Sequence, residues 1–158
     1  MNIMEDVQGF SKEDVFEFEK AEAESRAVAK GSYEGIVFSW NEIDDEKKGV
    51  TDLYKGVPIY KVGVRCFDYP EPGKSQIAWV KVSGSKVFGE KGRLKAASAA
   101  GLQLTKVMGM FDQPITEVLE QAKVTRALYS VETWDKEDLE NPDQKIVGGN
   151  WLKGVRAL

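Results

Sequence analysis

Cationic and aromatic side chains alternate around a glycine along one extended segment of the chain. Residues two apart share a face of an extended strand, and the residues of this face are Lys61, Gly63, Arg65, Phe67 and Tyr69. Lysine and arginine displace counterions from a phosphate backbone, and an aromatic ring stacks on any base. This face therefore predicts a surface that holds phosphates and stacks unpaired bases.

The opposite face of the same segment is apolar. It carries Tyr60, Val62, Val64 and Cys66, and this composition predicts a stripe in the protein core. Cys66 is the only cysteine, and we expect it to be a small buried hydrophobic residue instead of a nucleophile. For any one aromatic residue or lysine on a strand, packing or simple solvation is the commoner role. The predicted surface therefore depends on the group and not on one member.

The positive charge of the chain is concentrated around these residues. Segment 61–95 has eight Lys and Arg against three Asp and Glu, although the whole chain has a net charge of −4. Within this segment, Ile77, Trp79 and Lys81 share a face of the next predicted strand. The candidate phosphate contacts are Lys61, Arg65, Lys81, Lys86, Lys91 and Arg93, and the candidate stacking residues are Phe67, Tyr69 and Trp79.

We expect different positions for the other aromatic residues of the predicted strands. Phe38 and Trp40 share a face with Ile36, and we expect them in the core. Trp134 and Trp151 border the last predicted loop and are compatible with either the core or a contact surface.

The residue types give little support to catalysis. The chain has no histidine and one cysteine, which excludes histidine-based triads and Cys/His zinc sites. Residues 84–91 resemble a phosphate-binding P-loop, but Glu90 stands where such a loop needs lysine. We expect a protein without enzymatic activity, cofactor or metal. The alternative is a Mg²⁺-dependent nuclease, whose candidate carboxylates are Asp44, Asp45, Glu46, Glu132 and Asp135.

An acidic helix is predicted at the start of the chain. Ser11 and Asp14 have the spacing of a capping box, and Gly31 is the predicted stop. Its apolar face contains Val15 and Phe18 but is otherwise thin, so we expect the helix to lie on the surface. Its acidic residues are either a solvated face or, alternatively, a segment that competes with DNA or recruits a protein partner. We assign residues 1–30 to this acidic segment.

Five strands are predicted in residues 31–158. Their ranges are 31–43, 58–69, 76–84, 122–134 and 151–158. A helix over about 93–100 separates the third strand from the fourth, with Gly101 ending or kinking it, and residues 115–121 are compatible with a short helical turn. The pattern predicts a mainly β fold with two helices, arranged as a five-stranded Greek-key barrel like the OB-fold, which binds oligonucleotides.

Length and composition predict one folded domain. The chain has 158 residues, of which 42% are hydrophobic and 30% charged, as is ordinary for a globular protein. No apolar run approaches the roughly 18 residues of a membrane span, and residues 1–14 do not have the pattern of a signal peptide. We expect a cytoplasmic protein without membrane association.

The chain from Lys30 to Leu158 resembles the small OB-fold single-stranded DNA-binding proteins of tailed bacteriophages. The segments that carry the resemblance are KGSYEGIVFSW, GRLKAASAAGLQL, AKVTRALYSVETW and NWLKGVRAL. It implies a homo-oligomer in the host cytoplasm that coats single strands during phage DNA replication and recombination, together with proteins of those processes. The chain departs from the family because VRAL is not an acidic tail, which puts recruitment of partners through such a tail in doubt.

Single-stranded DNA is therefore the predicted ligand, bound without sequence preference. The alternative to a DNA-binding protein is a protein-interaction module, such as a structural or accessory phage protein, that uses the same aromatic face. Ionic strength separates the two, because only phosphate neutralisation makes affinity fall steeply with salt.

Overall fold

The helices and strands follow the residue types of the chain, with β-branched and aromatic runs in strands and alanine-rich runs in helices. The computed structural model describes residues 9–44, 56–85, 92–137 and 143–158, with side chains for all of these except 92–94. Within these ranges the elements are α1 (Lys12–Arg26), β1 (Gly31–Glu42), β2 (Ile59–Phe67), β3 (Ser75–Ser83), α2 (Gly92–Met108), α3 (Ile115–Ala122), β4 (Ala127–Glu137) and β5 (Lys145–Arg156).

The five strands form one open antiparallel sheet in the order β3-β2-β1-β4-β5. β1 joins the two halves, because its residues Gly31–Gly35 pair with β4 and Gly35–Glu42 pair with β2. A Cβ atom at Gly35 would lie 2.4 Å from the carbonyl oxygen of Arg65, so this approach of two strands requires glycine. The expectation of a mainly β fold with five strands is confirmed.

The predicted core stripe of β2 lies in the core. Val62, Val64 and Cys66 are fully buried, and Tyr60 is nearly so. β3 lies beside β2 in the sheet and extends this stripe with the buried residues Ala78, Val80 and Val82. The expectation that Cys66 is a small buried residue is confirmed, and burial raises the pKa of its thiol to about 12.

The start of α1 is confirmed and its end is not. The Ser11 hydroxyl accepts a hydrogen bond from the Asp14 amide at 3.1 Å, and the Asp14 carboxylate accepts one from the Ser11 amide at 3.0 Å. The helix ends at Arg26, five residues before Gly31. The backbone is extended at Ala27, and the chain leaves the helix early because Ala27 and Val28 are buried.

The face that α1 buries also differs from the prediction. Phe16 is buried, while Val15 and Phe18 are 41% and 68% exposed. The helix packs against β5 and lies on the surface of the sheet as expected. Residues 12–30 are therefore attached to the strands and are not a separate tail.

α2 continues through Gly101, which the sequence predicted as its end or kink. A Cβ atom at Gly101 would lie 2.1 Å from the carbonyl oxygen of Ser83, so this glycine allows α2 to pack against the end of β3. α3 is a third helix of two turns with Val118 and Leu119 fully buried, and the predicted number of two helices is wrong. None of the helices in the described ranges has the length and apolar character needed to cross a membrane.

The last two strands differ from their predicted limits. β4 begins at Ala127 instead of residue 122, and β5 begins at Lys145 instead of residue 151. The glycine pair 148–149 lies inside β5 and leaves room for a ring of β4, because a Cβ atom at Gly148 would lie 2.1 Å from the Trp134 ring. The early start of β5 makes the predicted loop 135–150 shorter, and part of it lies outside the described residues.

Candidate nucleic-acid interface

β2 and β3 pair across the turn at residues 70–74 and place cations and rings on one outer face. Lys61 lies opposite Lys81, and Gly63 lies opposite Trp79. Both lysines are exposed and Trp79 is 41% exposed, while the residues between them in sequence point into the core. The expected grouping of Lys61, Trp79 and Lys81 is thus present in the structure.

Trp79 lies across the backbone of the neighbouring strand. A Cβ atom at Gly63 would lie 3.0 Å from the Trp79 ring and 3.0 Å from the Ile77 side chain, so these two side chains occupy the space that a side chain at Gly63 would fill. The Lys61 ammonium lies 5.1 Å from the centre of the same ring, a cation–π distance. The lack of a side chain at Gly63 therefore allows the Trp79 ring to lie over β2.

A cleft of about 910 Å³ is lined by residues of this face and by residues of β4 and β5. Trp79, Lys61 and Lys81 line it from β2 and β3, and two further tryptophans line it from β4 and β5. We call this space the tryptophan cleft. Its rings and cations are Trp79, Trp134, Trp151, Lys61 and Lys81, and Glu42 and Asp44 also line it.

Trp134 and Trp151 are the site residues that the sequence left undecided. Trp151 is 36% exposed, and the indole of Trp134 lies against Gly148 and Gly149. Their spacing in sequence does not show that they meet Trp79, because β5 is paired to β4 and not to β3. The adjacent pair of glycines, which leaves room for a large ring, is the one sequence signal for this arrangement.

Asn150 connects the tryptophan cleft to the N-terminal segment. It lines the cleft and is 7% exposed. Its carbonyl oxygen accepts a hydrogen bond from the Val28 amide at 2.9 Å, and its amide group donates to the Val28 carbonyl at 2.7 Å and to the Glu132 carbonyl at 3.1 Å. These bonds fix β5 and the chain after α1 beside the tryptophans.

Arg65 lies on the same outer face, nearer the other end of β2. Its guanidinium carbon is 4.5 Å from the centre of the Phe38 ring. The expectation that Phe38 lies in the core is wrong, since it is 46% exposed. The cause is a β-bulge, because Val37 and Ser39 pair with adjacent β2 residues and leave Phe38 without a partner.

Trp40 lies on the inner side of that bulge, as expected for a core residue. Its ring packs edge-on against Tyr60, with centres 5.6 Å apart, and its ring N–H donates a hydrogen bond to Glu120 at 3.2 Å. The pKa of Glu120 lies below its usual value because Lys123, and then Trp40, donate hydrogen bonds to its carboxylate. These contacts attach α3 to β1.

Phe67 is partly buried, and the cation over its ring is Arg126, which is not among the candidate site residues. The Arg126 guanidinium carbon lies 4.5 Å from the centre of the Phe67 ring. Arg126 also forms an ion pair with Glu34 at 3.3 Å, in which the two side chains are 60% and 40% exposed. Arg126 comes just before β4, so the charge content of segment 61–95 gave no indication of it.

Tyr69 does not share this face, and that expectation is wrong. Its hydroxyl accepts a hydrogen bond from the Ala29 amide at 3.1 Å, and its ring meets Tyr33 edge-on at 5.5 Å. The regular alternation of β2 ends at Asp68, whose φ of 57° turns the chain. Tyr69 therefore packs against the core instead of joining the candidate site.

Three candidate phosphate contacts have side chains outside the described part of the structure. Lys86 and Lys91 lie outside the described residues, as does the side chain of Arg93. The same holds for Asp45 and Glu46 among the candidate magnesium ligands.

Within the described ranges, no three residues of the types that bind metals come together as a possible ion site. Glu132, another of the candidate ligands, forms an ion pair with Lys30 at 3.5 Å.

Comparison of the chain with protein-family models, with curated proteins and with solved structures found no match.

Proposed function

We propose that this protein binds single-stranded DNA without sequence preference and does so in the tryptophan cleft. The observation that carries the proposal is the meeting of three indoles and two lysines in one open space of about 910 Å³. Indole rings stack on bases, and lysines neutralise the phosphates between them.

The chemistry of the tryptophan cleft favours a single strand over a duplex. A base in a duplex is already stacked on its neighbours, so its faces are not available to Trp79 or Trp151. Every base offers a π face, so stacking on these rings discriminates little between sequences.

We further propose that the sheet closes as a partly open barrel of the OB type. β3 and β5 end the hydrogen-bonded order, yet α2 packs against both and the tryptophan cleft lies between them. OB-folds bind oligonucleotides on their second and third strands and adjoining loops, where Lys61, Trp79 and Lys81 lie in this chain. The resemblance to phage proteins would assign this binding to DNA replication or recombination in the host cytoplasm, by a homo-oligomer without enzymatic activity.

A salt titration of a fluorescently labelled oligo(dT) tests the proposal. Affinity should fall linearly with salt on logarithmic axes, and each lost phosphate contact should reduce the slope by about 0.7. The double variant Lys61→Ala, Lys81→Ala should therefore have a slope lower by about 1.4. Lys12 and Lys106 are exposed on helices, so Lys12→Ala, Lys106→Ala is the matched control.

Two results would reject this function. Affinity that is independent of salt would favour a hydrophobic protein-docking site, and equal binding of duplex competitor would remove the role of the exposed base faces.

A further inference from the structure

We propose that the bound strand leaves the tryptophan cleft along the outer face of β2, where Arg65 and Arg126 contact two further phosphates. We call the surface formed by Phe38, Arg65, Phe67 and Arg126 the arginine track. This inference rests on the proposed DNA-binding function and extends its site to Phe38 and Arg126, which lie outside the candidate set of the sequence.

The arginine track continues directly from the tryptophan cleft. Lys61, Arg65 and Phe67 lie on one face of β2, and a strand rises about 3.3 Å per residue. The face from Lys61 to Phe67 is therefore about 20 Å long. Nucleotides in a stacked strand are about 3.4 Å apart, so this length accommodates several nucleotides beyond those in the cleft.

Arg65 has the features of an anion-binding residue. Among the described residues, no carboxylate lies within ion-pair distance of Arg65, and its buried Nε has no hydrogen-bond acceptor. An unsatisfied buried donor is uncommon in a folded protein. The guanidinium is positioned by Phe38 at 4.5 Å, and a phosphate offers the paired oxygens that a guanidinium recognises.

Arg126 repeats this arrangement at the next ring. It lies over Phe67 at 4.5 Å, and its ion pair with Glu34 is exposed to solvent. Exposed ion pairs are weak, so a phosphate can replace the Glu34 carboxylate while Arg126 stays over the ring. The track thus continues the alternation of ring and cation that Trp79 and Lys61 begin in the cleft.

Oligo(dT) of two lengths tests the track. An oligonucleotide of about four nucleotides fits the tryptophan cleft alone, and one of about sixteen also covers the track. For the longer one, the double variant Arg65→Ala, Arg126→Ala should have a salt slope lower by about 1.4, and Phe38→Ala should bind about tenfold more weakly. For the shorter one, both variants should bind like the unchanged protein.

A variant that should bind more tightly adds a test whose expected result a folding defect cannot produce. Glu34→Gln removes the carboxylate that competes for Arg126 and should tighten binding of the longer oligonucleotide only. Glu71 is exposed in the turn between β2 and β3, and Glu71→Gln is the matched control, which should leave both affinities unchanged.

The results distinguish the track from the function on which it rests. An unchanged protein that binds neither oligonucleotide overturns both proposals. Binding of both lengths with an unaltered slope in the double arginine variant, or equal weakening of the shorter oligonucleotide, overturns the track alone. Glu34→Gln without effect on the longer oligonucleotide also contradicts the role of Arg126.

Discussion

Gly63 is the residue on which the position of Trp79 depends. A side chain at this position would occupy the space of the indole, with Cβ 3.0 Å from the ring. Since the outer part of Trp79 is exposed, the ring can move away without disturbing the core.

Gly63→Val should therefore weaken binding of single-stranded DNA by about 1–3 kcal/mol, the contribution of stacking on one base. The free energy of unfolding should change much less, because the displaced ring remains at the surface. Fluorescence anisotropy and urea unfolding measure the two effects. Ser39→Val, in the adjacent strand opposite Gly63, is the control, and equal weakening by both variants would show that Gly63 has no special role.

The buried thiol of Cys66 makes stability depend on pH in the alkaline range. Burial raises its pKa from 9.0 to about 12, so the unfolded chain loses this proton at lower pH than the folded one. The contribution is fully present below the unfolded pKa and is lost as the pH rises through the folded pKa.

When the pH rises from about 8 to about 10.5, the free energy of unfolding should fall by about 1–2 kcal/mol less in Cys66→Ala than in the unchanged protein. Burial raises the pKa of the neighbouring Tyr129 hydroxyl, and the charge of Cys66 raises it further, so the comparison measures the thiol together with this coupling. Urea unfolding at the two pH values measures it, and parallel losses in the two proteins would contradict the assigned cause.

At this scale the sequence predicted the two faces of β2 well, because alternation is a local property of a strand. It failed at Tyr69 and Phe38, where a positive φ at Asp68 and the bulge after Val37 interrupt that alternation. Neither irregularity has a distinct local residue signature.

Among the elements, α2 is held by close backbone contact as well as by its apolar side chains. Glycine inside a helix normally costs about 1 kcal/mol relative to alanine. At Gly101 the gain from alanine is offset by a Cβ atom 2.1 Å from a backbone oxygen of β3, which has little freedom to move.

Gly101→Ala should consequently destabilise the protein by about 1–3 kcal/mol despite the better helix propensity. Thermal unfolding followed by circular dichroism measures the change. Leu102→Ala, at the 47% exposed neighbour, should be close to neutral, and a stabilised Gly101→Ala variant would disprove the contact.

Asn150 is the polar link between β5 and the segment that follows α1. Its replacement leaves the amide and carbonyl of Val28 buried without their partners, and each unsatisfied group costs about 1–3 kcal/mol. Asn150→Ala should therefore lower the free energy of unfolding by about 2–4 kcal/mol, measured by urea titration. Asn41→Ala, at an exposed asparagine of β1, should cost much less, and similar losses in both would contradict this link.

The elements themselves were largely predictable, since hydrophobic periodicity and turn residues are local signals. Their limits were not, because tertiary contacts decided them: burial of Val28 ended α1, and contact with β3 carried α2 through Gly101. The meeting of Trp134 and Trp151 with Trp79 depends on how the sheet curves, and no local pattern contains that information.

At the scale of the whole molecule, the acidic residues of α1 and the cations of the candidate site lie on different elements. The acidic helix α1 packs against β5, while Lys61, Lys81 and Arg65 lie on β2 and β3. A net charge of −4 is therefore compatible with a local field that attracts phosphates. The described part of the acidic segment is held to the sheet by Asn150 and by a hydrogen bond from Gln76 to the Ser25 carbonyl.

Tryptophan emission during titration with poly(dT) at low salt tests the central claim most directly. Stacking of bases on Trp79 and Trp151 should quench the emission, and added salt should reverse the quenching. Trp79→Phe and Trp151→Phe should each reduce the quenched fraction, whereas Trp40→Phe, at a ring packed against the core, should not. Emission that poly(dT) leaves unchanged, or quenching that is undiminished in the variant lacking both Trp79 and Trp151, would contradict the account.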